Sequence, residues 1–181
     1  MPEPDDPQLM ARAQGGDMDA IGSLYDRHRE SIFRYLWLRL GDRHQAEDLT
    51  GDVFMRMLDA LPHFQAVGIP FRAWLYRIAH NLLVDHFRKT NAHVSISLDA
   101  VEDQGDSDPI LDVDRKILFE QVNQALAQLD RTQHEVIVLR FLLGLSLQEV
   151  AAAMGKSEAA IKSLQHRGLN ALRMALYQAE E

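Results

Sequence analysis

The sequence predicts an all-α protein with two small helical domains joined by a flexible acidic linker. Apolar residues recur at steps of three and four through most of the 181 residues, and no stretch alternates as a half-buried strand does. Glycine and proline punctuate these periodic stretches where helices are expected to end. One acidic stretch lacks a sustained period, and its composition cannot bury enough apolar surface to fold by itself.

The first domain is predicted over residues 14–90 and contains three amphipathic helices. The first helix ends near Gly41, since glycine adopts the left-handed conformation that closes many helices. The second helix spans 43–61 and stops at Pro62, which a helix interior does not tolerate. The third helix spans 71–89, after a loop that contains a glycine and a proline.

The predicted linker spans residues 91–114, and the second domain spans 115–179. From 99 to 114 the chain has seven acidic residues and no basic residue, and the simplest interpretation is a solvated tether. In the second domain a periodic apolar helix comes first. Asp130 and Gln133 follow it with the spacing of a capping box, ahead of another apolar run.

The end of the second domain, from Leu145 to Arg173, has the pattern of two short helices joined by a tight turn. Ser146 and Glu149 are spaced as a capping box, Gly155 can close the first helix, and Ser157 can begin the second. This is the pattern of a helix-turn-helix, whose second helix enters the major groove of DNA. A plain helical hairpin shares the same signals.

The polar side of that last helix favours DNA. Residues 156–173 hold four basic side chains and one acidic one, whereas the whole chain has a formal net charge of −8. Attraction to phosphate depends on the charge of the local surface, so this enrichment favours a DNA-binding helix-turn-helix over a plain helical hairpin. Gly168 lies on the apolar side, where its missing side chain would let another helix approach closely. The candidate contacts are Lys156, Ser157, Lys162, Ser163, His166 and Arg167.

The third helix of the first domain carries a second candidate surface. Residues 71–89 again hold four basic side chains and one acidic one. Arginine binds phosphates, amides read base edges, and an aromatic ring can stack on an unpaired base. A solvated face with a half-buried tryptophan would give the same pattern. One stripe of the helix contains Trp74, Arg77, Asn81 and Arg88, with Asp85 beside them.

The helix before it carries the opposite charge. Asp48, Asp52 and Asp59 project from its polar side, with Met55 among them. Such a stripe suits a basic protein partner, because methionine adapts to varied surfaces, although a solvated face is the alternative. Gly51 lies in the middle of this helix, where glycine costs about 1 kcal/mol relative to alanine. It either allows a partner to approach closely or is simply tolerated.

Three segments, in this order, resemble bacterial RNA polymerase sigma factors of the sigma-70 family, extracytoplasmic-function (ECF) branch. They are 41–58 (GDRHQAEDLTGDVFMRML), 71–89 (FRAWLYRIAHNLLVDHFRK) and 125–173 (ALAQLDRTQHEVIVLRFLLGLSLQEVAAAMGKSEAAIKSLQHRGLNALR). The resemblance implies that the two domains are the family's region 2 and region 4. The short length, without a folded middle domain, is similar to the ECF branch rather than to housekeeping sigma factors.

The resemblance also assigns roles. The polymerase-binding motif, which docks on the clamp helices of the β′ subunit, contains Asp48, Thr50, Asp52, Val53, Met55 and Arg56. The segment that recognises and opens the minus-ten promoter element contains Arg72, Trp74, Arg77, Asn81, Asp85, Arg88 and Lys89. The candidate contacts on the last helix would read the minus-thirty-five element. The implied partners are core RNA polymerase, through its β′ and β subunits, promoter DNA and an anti-sigma factor.

Two positions depart from the family's pattern. Gly51-Asp52 stands where the family often has Gln-Glu, which keeps the acid but shortens it. Leu164-Gln165 follows Lys162-Ser163, where the family often has an arginine. Which residues read bases in the minus-thirty-five element is therefore left open by the sequence.

These features predict a cytoplasmic promoter-specificity factor that is not an enzyme and needs no cofactor, metal or small-molecule substrate. The chain has no cysteine, and no apolar run approaches the roughly 20 residues of a membrane helix. An alternative is a regulator that binds operator DNA alone, with the first domain as a dimerisation or sensor domain. A metal-dependent enzyme is a weaker alternative, because the eight histidines come without an HExxH motif.

Overall fold

The computed structural model describes residues 4–65, 68–90, 96–97, 100 and 112–179, and these residues form helices and no strand. The all-α prediction with two helical units is confirmed. A 3₁₀ turn, Leu61–His63, follows the helix that ends at Ala60, and a π-helical turn, Val138–Leu142, follows the helix that ends at Ile137. The helices are α1 Asp6–Gln14, α2 Met18–Leu40, α3 Arg43–Ala60, α4 Phe71–Thr90, α5 Asp112–Ala127, α6 Arg131–Ile137, α7 Leu147–Met154 and α8 Glu158–Ala179.

The first unit contains α1 to α4. Helix α2 packs against α3, α3 packs against α4, and their apolar faces meet in one core that includes Tyr35, Leu75 and Tyr76. Gly41 ends α2 with a φ of 70°, so the left-handed position is the one that the sequence predicts. Asp42 then begins α3, because its carboxylate accepts a hydrogen bond from the N–H of Gln45 at 2.9 Å.

Helix α1 was not predicted, and it precedes the expected start of the first domain at residue 14. Asp5 accepts a hydrogen bond from the Gln8 N–H at 2.9 Å, and the Gln8 side chain accepts one from the Asp5 N–H at 3.3 Å. This reciprocal capping box starts the helix, and Leu9 and Met10 are then buried in the core. The Asp-x-x-Gln spacing of Asp5 and Gln8 could have predicted this helix, but the acidic, proline-containing composition of the segment did not indicate one.

The second unit contains α5 to α8. Helix α6 packs closely along α8, and α7 crosses α8 to complete the helix-turn-helix. A Cβ added at Gly168 would lie 3.3 Å from Cγ1 of Ile137, so the close approach expected at this glycine is present. Ile137 is buried, which ties α6 to the helix that carries the candidate DNA contacts.

The two units also pack against each other, mainly through α4 and α7. Ile96 is buried between them, and its backbone N–H and carbonyl both bond the Asn123 side chain, at 3.1 and 3.0 Å. The Ser97 N–H donates to the Leu38 carbonyl at 3.0 Å. These two linker residues are thus fastened to α2 and α5, and α5 begins at Asp112 rather than Arg115. Most of the predicted acidic linker lies outside the described residues.

Candidate nucleic-acid interface

The helix-turn-helix is built from two caps and one left-handed glycine. Ser146 Oγ accepts from the Glu149 N–H at 3.1 Å, while the Glu149 carboxylate accepts from the Ser146 N–H at 2.7 Å. Gly155 closes α7 with a φ of 63°. Ser157 Oγ then accepts from the Ala160 N–H at 3.2 Å and starts α8. These local bonds fix the turn between α7 and α8, and residues 155–159 of the turn and the first part of α8 are exposed.

The candidate contacts on α8 form one open surface. Ile161 and Leu164 point into the core, with Leu164 only 8% exposed, and Gln165 accepts a hydrogen bond from Arg140 Nε at 3.0 Å. Leu164 and Gln165, which together form the departure from the family pattern on α8, therefore have structural roles, and the basic and polar residues around them are the exposed ones. The exposed residues are Lys156, Ser157, Lys162, Ser163, His166 and Arg167.

The stripe on α4 is also open, with an aromatic pair at one end. The Trp74 ring stacks on Phe64 with centroids 4.2 Å apart and an interplanar angle of 29°. Arg77 and Asn81 are exposed further along. Phe64 was not predicted as a site residue. It lies in the loop after α3, and the sequence carries no signal that places it under Trp74.

At the far end of that stripe, an ion pair joins two of its members. Arg88 Nη2 lies 3.1 Å from an Asp85 carboxylate oxygen, and both side chains are well exposed. Lys89 is exposed next to them. Exposed ion pairs of this kind contribute little to stability, so Arg88 is free to exchange its partner for a phosphate.

Arg72 lies on a different side of α4 from the other candidates. Its guanidinium donates to the Leu143 carbonyl at 3.1 Å and lies 3.7 Å from a Glu149 carboxylate oxygen. Both acceptors belong to the second unit. Arg72 is therefore occupied by the helix-turn-helix and does not continue the open stripe.

On α3 the six candidate polymerase contacts divide into two groups. Thr50 and Val53 are buried, and the Thr50 hydroxyl donates to the Ala46 carbonyl at 2.6 Å. Met55 is 61% exposed. Gly51 faces open space, since a Cβ built there meets no atom within 4 Å. A partner protein could therefore contact the exposed members, which are Asp48, Asp52, Met55 and Arg56.

A buried polar cluster between the two units was missed by sequence reasoning. Glu135 of α6 is paired with Arg39 of α2 at 2.9 Å, and both side chains are 3% exposed. The Tyr35 hydroxyl donates to the other Glu135 oxygen, and His80 Nδ1 lies 3.4 Å from it. Arg39 Nη1 also donates to His134 Nδ1 at 2.8 Å. These residues come from three helices, so no local pattern reports them.

The pKa values in this cluster follow from its burial and charges. Burial would raise the pKa of Glu135, but the Arg39 charge and the hydrogen bonds from His80 and Tyr35 outweigh it and lower the pKa to about 2. Burial and the Arg39 charge lower the pKa of His134 to about 3. At neutral pH the cluster therefore holds an ionised carboxylate, a guanidinium and a neutral imidazole.

Within residues 4–65, 68–90 and 112–179, no three histidine, aspartate or glutamate side chains come together as ligands for a metal ion. No described helix is both long and apolar enough to cross a membrane.

Two helical units, each with an exposed helix that carries basic side chains, are the arrangement expected of a protein that contacts DNA at two places. Residues 24–93 match the family model Sigma-70 region 2, and residues 125–174 match Sigma-70, region 4. The chain belongs to the sigma-70 family of RNA polymerase sigma factors, in its ECF branch.

Its similarity to particular relatives extends over most of the chain. The ECF sigma factor BldN of Streptomyces coelicolor is 39% identical over 91% of this chain, which spans 63% of the BldN length. SigX of Bacillus subtilis is 32% identical over 83% of this chain and 80% of its own. The solved structure of CnrH, in complex with the cytosolic domain of CnrY, is 28% identical with a TM-score of 0.68, covering 97% of this chain and 99% of CnrH.

Proposed function

We propose that this chain binds core RNA polymerase and directs it to promoters by recognising the minus-thirty-five and minus-ten elements and promoting DNA melting. The observation that carries the proposal is the pair of exposed basic helices, α4 and α8, on units that match sigma regions 2 and 4 in the family's order. The chain is not an enzyme, because the polymerase supplies the catalysis. Its own contribution is the choice of the DNA site.

Region 4 would read duplex DNA with α8. A recognition helix presents the N-terminal part of its polar face to base edges in the major groove. Ser163 and His166, which are exposed, would reach such edges, and the exposed Lys162 and Arg167 would contact phosphates beside them. The interaction would be salt-dependent, because each neutralised phosphate releases counterions.

Region 2 would favour melted DNA with α4. Taking a base out of the stack costs a few kcal/mol, and aromatic stacking returns about 1–3 kcal/mol for each base. Trp74, supported from below by Phe64, offers a rigid aromatic surface beside the exposed Asn81 amide. A surface that binds unpaired bases in preference to stacked ones shifts the equilibrium toward an open promoter.

Helix α3 would dock region 2 on the β′ clamp helices. Its exposed acidic residues Asp48 and Asp52 flank an open glycine and lie near the exposed Met55. A charged rim around an adaptable apolar side chain suits a basic helical partner. Core polymerase and promoter DNA are thus the two proposed partners that act together, in the cytoplasm.

A third proposed partner is an anti-sigma factor. The related CnrH is described in complex with the cytosolic domain of CnrY, and the similarity covers both units of this chain. A protein that covers the exposed faces of α3, α4 or α8 would keep the factor inactive. The net charge of −8 further disfavours binding to DNA without polymerase.

A reconstituted transcription assay tests the proposal. Core polymerase with the chain, on fragmented genomic DNA, should give transcripts from defined start sites that core polymerase alone does not give. Asn81→Ala should reduce the yield, whereas Glu120→Ala, at an exposed position on α5 outside the DNA surfaces, should not. Nanomolar binding to promoter duplex by the chain alone, with no polymerase-dependent transcripts, would instead support the operator-binding regulator.

A further inference from the structure

The outer side of α8 carries a hydrogen bond between two exposed side chains, His166 and Asn170. They are four residues apart and therefore neighbours on the helix surface, and the Asn170 amide nitrogen lies 3.1 Å from His166 Nε2. His166 is one of the candidate DNA contacts, whereas Asn170 is not. The pair thus joins a predicted base reader to a polar residue that has no role in the contacts described so far.

The packing of α8 fixes the direction in which this pair points. Ile161 is buried, and a Cβ added at Gly168 would lie 3.3 Å from Cγ1 of Ile137, so this side of the helix is held against the core. His166 and Asn170 are each two residues from Gly168, which is about 200° around the helix. Both side chains therefore project away from the core, on the side that carries the exposed basic residues.

The hydrogen bond determines which ring nitrogen of His166 carries the proton. An amide nitrogen can only donate, so Nε2 of His166 is the acceptor in this bond. In a neutral imidazole one nitrogen accepts and the other donates, so the proton lies on Nδ1. In the part of the chain that the structure describes, this Nδ1–H group has no partner of its own. Helix α8 thus presents one oriented N–H donor on its outer side.

An asparagine is a suitable partner for a histidine on a surface that meets DNA. A carboxylate in its place would also orient the ring, but its negative charge would repel the phosphates. The neighbouring amide, Gln165, cannot take over this role, because it accepts a hydrogen bond from Arg140 Nε at 3.0 Å and is held inside the fold. Asn170 therefore orients the ring without weakening the attraction to DNA.

We propose that Asn170 is a positioning residue that holds His166 as an N–H donor, so that His166 selects a base with an acceptor on its major-groove edge. Guanine, adenine and thymine carry such an acceptor, and guanine carries two. The polar group that cytosine presents there is an amino donor, so two donors would face each other. The pair therefore reads one position of the minus-thirty-five element chiefly by excluding cytosine. This inference rests on the proposed function, because it takes α8 to be the reader of that element.

Orienting the ring before binding should also strengthen the contact. Immobilising a free side chain at an interface costs about two- to tenfold in affinity. Without Asn170 the ring of His166 would pay that cost on binding and could carry its proton on either nitrogen. Asn170→Leu should therefore weaken promoter binding by the holoenzyme about two- to tenfold and should relax the choice of base at one position.

The first measurement is made on the free chain and does not depend on DNA. Nitrogen-15 chemical shifts report which imidazole nitrogen is protonated, and His166→Gln identifies the His166 signals among those of the eight histidines. In mildly alkaline solution, where imidazoles are neutral, the wild-type ring should carry its proton on Nδ1. Asn170→Leu, which is similar in size and has no donor, should give a mixture of both forms. A wild-type ring protonated on Nε2 would overturn the inference.

The second measurement is the base preference of the holoenzyme. A promoter found in the transcription assay is randomised over its minus-thirty-five element, and the sequences that the holoenzyme binds are read. The wild-type factor should disfavour cytosine at one position by about five- to tenfold. His166→Ala and Asn170→Leu should each remove this exclusion and leave the preferences at the other positions as they are. Thermal unfolding of the free variants should change little, because both side chains are exposed.

Combining the two variants separates positioning from direct contact. In the His166→Ala background, Asn170→Leu should have no further effect on base preference, because Asn170 acts through the ring. An equal effect in both backgrounds would show that Asn170 contacts DNA itself and would overturn the positioning role, as would no effect in either. Gln178→Leu is the matched control, since it replaces another exposed amide of α8 and should keep the wild-type preference.

The transcription assay is run with the same variants. Absence of promoter-directed transcripts with the wild-type chain would remove the proposed function and the base-reading role with it. Normal transcripts with an unchanged exclusion of cytosine in Asn170→Leu would remove this inference alone.

Discussion

Helices α4 and α8 both present a basic surface, but the protein holds them differently. Helix α4 is enclosed on two sides, by the region 2 core through Leu75 and by α7 of region 4. Helix α8 is buried along its inner side at Ile161, while Tyr177 near its end is 64% exposed. Substitutions on α4 should therefore change folding and DNA binding together. On α8 the DNA surface can be altered while the fold is left intact.

The largest effect is expected at Trp74, where the two roles of α4 meet. Trp74→Ala removes the stack on Phe64 and leaves a partly buried gap, so the free energy of unfolding should fall by about 2 kcal/mol. Promoter opening should fall about five- to a hundredfold, because base stacking contributes about 1–3 kcal/mol. Urea unfolding and permanganate reactivity of the promoter thymines measure the two effects.

Trp74→Phe is the matched control, since it keeps an aromatic ring at the same place. It should recover most of the stability and much of the opening. If Trp74→Ala lowered opening and left stability unchanged, α4 would behave as α8 does, and the contrast between the helices would be lost.

On α8 we expect a functional loss without a loss of stability. Lys162→Ala combined with Arg167→Ala removes two exposed charges, so the free energy of unfolding should change by less than about 0.5 kcal/mol. The slope of log K against log salt for holoenzyme binding should become less steep by about 1.8, because each lost phosphate contact contributes about 0.9. Binding titrations at several salt concentrations measure this slope.

The control for the α8 prediction is Gln165→Ala, which removes the Arg140 partner inside the fold. It should lower stability modestly and leave the salt slope as it is. A salt slope that did not respond to the double substitution would place the DNA surface elsewhere on region 4.

The pH dependence of stability should distinguish the buried interface between the two units from the exposed surfaces of α4 and α8. The pKa of His134 is lowered from 6.5 to about 3 in the folded protein, so the unfolded chain takes up the proton first and stability is lost as the pH falls below about 6.5. Between pH 7.5 and 5.5 this amounts to about 1.4 kcal/mol. Thermal unfolding at both pH values measures it.

His134→Gln should remove that part of the pH dependence. The pKa of His28 is also lowered, because its burial outweighs the Asp6 charge, so a residual effect of the same sign should remain. Arg39 and Glu135 face His134, and the pKa of Glu135 is lowered to about 2, so its carboxylate stays ionised through this range. An unchanged pH profile in the variant would contradict the assignment.

The smallest effects compare two mid-helix glycines, Gly51 of α3 and Gly168 of α8. Gly51→Ala should stabilise the free chain by about 1 kcal/mol, because the new Cβ meets open space and alanine favours the helix. Gly168→Ala should give no such gain, since its Cβ would press on Ile137 at 3.3 Å. Urea unfolding of the pair compares them directly. Weaker core polymerase binding by Gly51→Ala alone would show that the partner uses the open position.

The sequence predicted the fold well where helix ends are encoded locally. Gly41, Pro62 and Gly155 stand at or next to ends of helices, and the capping spacing at Ser146 is realised. Helix α1 was missed because its composition concealed the same kind of cap. The π-helical turn after α6 carries no pattern that distinguishes it from an ordinary helix.

The candidate surfaces were predicted as far as helical periodicity reaches. Helical periodicity correctly separates the exposed Arg77 from its buried neighbours on α4. Membership of a family motif does not tell exposed residues from buried ones. Thr50 and Val53 belong to the predicted polymerase-binding motif, yet both side chains lie in the core. Contacts between distant parts of the chain were invisible. Tyr35 and Glu135 are 100 residues apart, and nothing in either local segment indicates that they meet.

The support beneath the aromatic pair comes from outside the region 2 match. The Gln14 side-chain amide, at the end of α1, donates to the carbonyls of Leu61 and Phe64, at 3.1 and 2.6 Å. The loop that carries Phe64 is therefore tied down by a helix that precedes residue 24, where the family match begins. A chain shortened to that boundary would lose this tie together with the buried Leu9 and Met10, so we expect the Trp74–Phe64 stack to loosen along with the core beneath it.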